Sequence, residues 1–107
     1  MTQYVLTYRE LASGEAPAED PIEAWNTFFN GLGSHLVDPG NPVFSSRALG
    51  DLGSSGVFPL GGYSIIEADD LDAAVALAQS CPSLNGGGGV EVGEITVLDD
   101  VRDASKR

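Results

Sequence analysis

The chain has one cysteine, one histidine and five basic residues among its 107 positions, and each shortage excludes a class of function. With Cys81 alone, no intrachain disulfide can form and no set of His and Cys ligands exists for zinc. The acidic residues follow no calcium-loop spacing, so no metal site is expected. No apolar run approaches the roughly 18 residues of a membrane span, and Met1 to Glu10 lacks a basic region followed by an apolar one. Together with the lone thiol, this predicts a cytoplasmic location. Sixteen acidic residues against five basic ones give a net charge of −11, which repels phosphate backbones and anionic lipids. Neither nucleic acid nor a membrane is expected as a partner. The glycine run Gly86 to Gly89 is followed by no Lys-Ser or Lys-Thr and leads into a strand. It is therefore no phosphate cradle, and no cofactor is expected.

What is present describes one small globular domain, 42% hydrophobic and 20% charged. Tyr4 to Arg9 alternates Tyr4, Leu6 and Tyr8 with Val5 and Thr7, the period of a first strand. Leu11 to Glu19 reads as a loop. Asp20 as cap, Pro21 in the first turn and Glu23 three residues after the cap start a helix, with Ile22, Trp25, Phe29, Leu32 and Leu36 as its apolar stripe. Asp38-Pro39-Gly40-Asn41-Pro42 reads as a tight turn into a second strand, Pro42 to Leu49, followed by a long hairpin loop from Gly50 to Pro59. Tyr63 to Ala68 forms a third strand, and Asp69 caps a second helix whose buried face is Leu71, Ala74, Val75 and Ala78. Pro82 stops that helix. The last strand, Val90 to Leu98, changes phase at Gly93, where a bulge is expected. The domain is read as residues 1–98, and 99–107 as a polar, frayed C-terminal tail.

The order strand, helix, strand, strand, helix, strand is the split βαβ arrangement. The predicted class is α+β, a ferredoxin-like βαββαβ sandwich with a four-stranded antiparallel sheet and two helices on one face. Val5 beside Leu6 and Ile65 beside Ile66 direct apolar side chains to both faces. The helix-free face then needs a cover, and a second copy packing sheet against sheet is the simplest one. The alternative is the Gly50–Pro59 loop folding back.

The segment Gly61 to Ala74, with Ser80-Cys81-Pro82 and Gly88 to Val92, resembles the second half of YCII-related proteins, including the DGPF group. Trp25 and Leu36-Val37-Asp38-Pro39-Gly40-Asn41-Pro42 are similar to the same group. The resemblance implies a dimeric α/β barrel built from ferredoxin-like protomers. It also implies enzymes using a His and Asp pair among some members, and an association with sigma factors in the DGPF group. Here Gly56-Val57-Phe58-Pro59 stands where Asp-Gly-Pro-Phe would be, so no property of that motif is carried over.

His35 and Asp38, three positions apart, are the candidate catalytic pair, with the carboxylate orienting the imidazole as a general base. The competing reading gives His35 to a helix C-terminus and Asp38 to a turn. Asn41, Trp25 and Tyr63 are candidate ligand contacts, although aromatics at helical spacing also suit a core. Cys81, after a helix C-terminus, reads as a buried apolar residue. A pocket, if formed, is expected at the turn from His35 to Asn41. Three functions follow: a homodimeric module binding a small molecule or a protein, a cofactor-free acid/base enzyme using His35 and Asp38 on a small organic substrate, or a dimer whose role is purely structural.

Overall fold

The alternation that opens the sequence builds the centre of the sheet. In the computed structural model, which describes residues 1–9, 21–51, 59–84 and 87–105, β1 spans Thr2–Arg9 with Tyr4, Leu6 and Tyr8 buried and Val5, Thr7 and Arg9 half-buried on the other face. α1 follows at Pro21–Leu32 and closes in a single 3₁₀ turn, Gly33–His35. Next come β2 (Leu36–Pro42), β3 (Leu60–Ala68), α2 (Leu71–Ala78), a 3₁₀ turn at Pro82–Leu84, β4 (Gly89–Glu94) and α3 (Leu98–Ser105). The strands form one antiparallel sheet in the order β2-β3-β1-β4, which is the ferredoxin-like arrangement.

Both α1 and α2 pack on the face carrying Tyr4, Leu6 and Tyr8. The core joins these to Phe28 and Leu32 from α1, Ile66 and Ala68 from β3, Ala74 and Ala78 from α2, and Cys81. Each large apolar side chain buried there contributes roughly 1.5 to 3 kcal/mol. The stripe of α1 sits differently from expectation. Ile22 is exposed, Trp25 and Phe29 are half-buried, and Phe28 takes the buried place, because the helix turns its Phe28–Leu32 edge toward Tyr8. In α2 only Ala74 and Ala78 are buried, and Leu71 and Val75 lie partly open at the helix flank. The cap of α2 is Asp70 rather than Asp69: its carboxylate accepts the Ala73 amide at 2.8 Å. The proposed cap Asp20, the 11–19 loop and most of the Gly50–Pro59 loop lie outside the described residues.

The second strand also differs from expectation. It runs through the predicted turn, Leu36–Pro42, and not from Pro42 to Leu49, a stretch exposed apart from Val43. Its pairing with β3 admits one extra residue between Leu36 and Asp38 and another between Asp38 and Asn41. As an edge strand it tolerates Pro39 and Pro42, whose missing amides remove no interior ladder bond. β4 pairs in unbroken register with β1 from Gly89 to Glu94, Gly93 lying opposite Val5, so the bulge expected at Gly93 is absent. After β4 the chain forms α3 where a frayed tail was expected. Asp99 and Asp100 in the first turn complement the helix dipole, and the Val97 carbonyl accepts from the amides of Asp100 and Val101.

Gly40 sits at φ +70° in the second bulge, and a Cβ there would run into the Tyr63 backbone carbonyl. Gly40→Ala is therefore expected to lower stability by about 2 kcal/mol or more, since strained backbone and a main-chain clash add. Gly31→Ala, in α1 with open space around it, is expected to raise stability by up to about 1 kcal/mol. Urea midpoints of the two variants check the pair. Equal midpoints would contradict the bulge geometry.

Candidate functional site

The bulge in β2 is held from inside the core. Ser64, fully buried on the core face of β3, donates its hydroxyl to the Pro39 carbonyl at 2.6 Å and accepts the Tyr8 hydroxyl at 2.8 Å. Tyr8 in turn lies edge-on to Trp25, with ring centroids 4.6 Å apart, and Trp25 packs on Phe28 and Phe29. Burial pushes the Tyr8 hydroxyl up to about 12, the bond with Ser64 offsetting part of the shift. The sequence carried a signal for this relay: Ser64 is the one hydroxyl in phase with Ile66 and Ala68 on the buried face, where a polar group needs a partner.

The turn residues find partners on the backbone. His35, half-buried, has Nδ1 3.0 Å from the Glu67 carbonyl oxygen. A carbonyl only accepts, so in the neutral ring Nδ1 carries the proton and Nε2 keeps the lone pair. The exposed Asp38 carboxylate accepts the Gly40 amide at 2.8 Å, an Asx-type turn within the bulge. Each half of the proposed dyad thus has its hydrogen bond to main chain and not to the other.

Asn41 and Tyr63 do come together. They face each other across the β2–β3 pair, and the Asn41 side-chain amide donates to the Tyr63 hydroxyl at 3.2 Å. Tyr63 lies in phase with half-buried Ile65, opposite Ser64, so this pair borders the helix-free face of the sheet. Asp38, paired with Ile65, joins them along that rim. Trp25 does not: it stands on the other face, in the aromatic cluster of α1. The centre of the helix-free face is Val5, Thr7, Tyr63 and Ile65. At its β4 side Arg9 meets Glu91 at 3.6 Å, and the Thr7 hydroxyl donates to the same carboxylate at 3.4 Å. Burial pushes the Cys81 thiol up, which disfavours the thiolate.

The cavities described lie away from the His35–Asn41 turn, where one was expected. One of about 270 Å³ runs between α2 and β4, bounded by Leu71, Val75, Leu84, Val90 and Val92. Another is bordered by Met1 to Gln3 and by Glu94 to Val97 with Asp100. The turn is a bulge pressed against β3, which leaves its polar groups on a rim and not in a hollow. Among the described residues, no group of three or more His, Cys, Asp or Glu side chains is placed to hold a metal ion, and no helix is long and apolar enough to cross a membrane.

The raised Tyr8 hydroxyl has a definite pH signature. The folded form holds its proton above the ordinary tyrosine pKa of about 10, where the unfolded chain has begun to release it. The associated stability is complete below pH 10 and is lost as pH rises toward 12. In denaturant titrations at pH 8, 10 and 11.5, Tyr8→Phe is expected to be less stable than the parent at pH 8 and to lose less on going to pH 11.5. Parallel losses would show that the hydroxyl is not buried.

No family model matches the sequence, and no curated protein matches it. Among solved structures the chain is similar to 5-chloro-2-hydroxyhydroquinone dehydrochlorinase from Burkholderia phenoliruptrix AC1100, in complex with 2,5-dihydroxybenzoquinone. The identity is 19%, with 82% of this chain and 90% of that chain covered and a TM-score of 0.47.

Proposed function

We propose that the chain is a homodimeric binding domain of the YCII-related kind. Two copies pack through the helix-free sheet face, and a small neutral or basic molecule is held at the rim of that seam by Asn41, Tyr63 and Asp38. The observation that carries this reading is the rim itself. An apolar centre of Val5 and Ile65 adjoins an exposed amide and carboxylate and a half-buried phenol, of which Asn41 and Tyr63 are already mutually oriented. Polar groups converging beside an apolar surface are the usual composition of a ligand site. The net charge of −11 disfavours an anionic ligand.

A second reading, acid/base catalysis by His35, is favoured by one feature. The Glu67 carbonyl fixes the ring so that Nε2 is free to accept a proton. It lacks an orienting carboxylate, since Asp38 is engaged by Gly40.

Native mass spectrometry of the purified protein, offered a panel of small amines, phenols and polyols, tests the binding reading. The expected result is a dimer retaining one ligand per chain. Replacing Asn41 with Ala and Tyr63 with Phe together should abolish retention, and His35→Asn should leave it unchanged. Retention that survives the double substitution, or no uptake at all, would contradict the proposal.

A further inference from the structure

The β2 bulge gathers three polar side chains around one glycine. The Gly40 amide is bonded to Oδ1 of Asp38 at 2.8 Å, and Asn41 is the next residue. Gly40 also presses on Tyr63 so closely that a Cβ would meet both the carbonyl and the ring of that tyrosine. The Tyr63 hydroxyl in turn accepts from the Asn41 side chain at 3.2 Å. Carboxylate, carboxamide and phenol are thus anchored to the same short piece of main chain.

These groups are unequal in what they still offer to a ligand. A carboxylate only accepts, a carboxamide has one accepting oxygen and two N–H hydrogens, and a hydroxyl has one hydrogen and two lone pairs. Asn41 Nδ2 spends one hydrogen on Tyr63, and Asp38 Oδ1 accepts from Gly40. Among the described residues, Asp38 Oδ2, Asn41 Oδ1 and a lone pair of the Tyr63 oxygen remain as acceptors. Only Asn41 Nδ2 and the Tyr63 hydroxyl keep a hydrogen to give. Acceptors therefore predominate, and one of them carries a charge.

That charge is unanswered. Among the described residues no ion pair engages Asp38, and Arg9 on the helix-free face is held by Glu91. Tyr63 is half-buried, and the electron-rich face of a phenol ring attracts a cation. The net charge of −11 raises the local concentration of cations around all three groups.

We infer that the ligand of this rim is a protonated primary amine on a small apolar body, its N–H groups donating to Asp38 and Asn41 beside the Tyr63 ring. This rests on the binding domain proposed above and narrows its neutral or basic molecule to the ammonium class. An ammonium supplies three donors and no acceptor, which complements the acceptors left open. A hydroxyl of the same size brings one donor and no charge. The body is small and apolar because the rim adjoins Ile65 and has no hollow beneath it.

NMR titration of the parent and of Asp38→Asn with benzylamine, and with benzyl alcohol as its uncharged counterpart, tests this at pH 7 through the Asn41 side-chain amide resonance. Asparagine at position 38 keeps an oxygen for the Gly40 amide, so the turn is preserved and only the charge is removed. The parent is expected to bind benzylamine about fivefold more tightly than benzyl alcohol. Asp38→Asn should bring benzylamine down to the level of the alcohol and leave the alcohol unchanged. Equal affinities in the parent, or an amine preference that survives Asp38→Asn, would overturn the amine assignment and leave the binding reading standing. A rim that takes up neither probe would overturn both.

Discussion

The short hydrogen-bonded chain from Tyr8 through Ser64 to the Pro39 carbonyl is the constraint on which the β2 side of the molecule, with its candidate site, depends. A buried hydroxyl without a partner costs about 1 to 3 kcal/mol, so Ser64 is satisfied only when β2 brings the Pro39 carbonyl to it. That requirement bends the strand into its double bulge and makes Gly40 obligatory at the point where the backbone presses on Tyr63. It also sets Asp38 and Asn41 on the rim. Trp25, edge-on to the Tyr8 ring, ties α1 to the same chain of contacts. A change at the core end of this relay should therefore be felt at the rim.

The two edges of the sheet are protected unequally. β2 carries two prolines and two bulges, which deny a regular ladder to any passing strand. β4 is regular for all six residues and carries no proline, so its protection has to come from something laid across it. The helix-free face is likewise unfinished, with apolar Val5 and Ile65 at its centre and charged Arg9, Glu67 and Glu91 toward its margins. The proposed second copy would cover that face. The strong negative charge opposes association at long range, and the apolar centre has to outweigh it at contact.

Much of this fold was legible because its signals are local. The alternation of Tyr4, Leu6 and Tyr8, the Pro21 helix start and the order of elements follow from side-chain period and turn chemistry, and together they specify the sheet. What was misplaced depends on distant partners. β2 was set six residues too late because its position is decided by pairing with β3 and by Ser64, not by its own weak pattern. Asp69 and Asp70 are equivalent caps by composition, and only the path out of β3 chooses Asp70. Ile22 and Phe28 both fit a three-four spacing, and the facing Tyr8 and Trp25 rings decide between them. His35 and Asp38 are close in sequence, yet the backbone groups of Glu67 and Gly40 were better placed to bond them. The Asn41–Tyr63 pair needed the β2–β3 register, which no local pattern in β2 reveals.

The central claim is that the helix-free face is the seam between two copies. Sedimentation equilibrium of the parent and of Ile65→Asp, at micromolar concentration, measures it most directly. Ile65 lies half-buried at the centre of that face, opposite the core. The account predicts a parent species of twice the 11.1 kDa chain mass and an Ile65→Asp species of a single chain mass with the parent's circular dichroism spectrum. A monomeric parent, or an Ile65→Asp protein that remains a dimer, would contradict it.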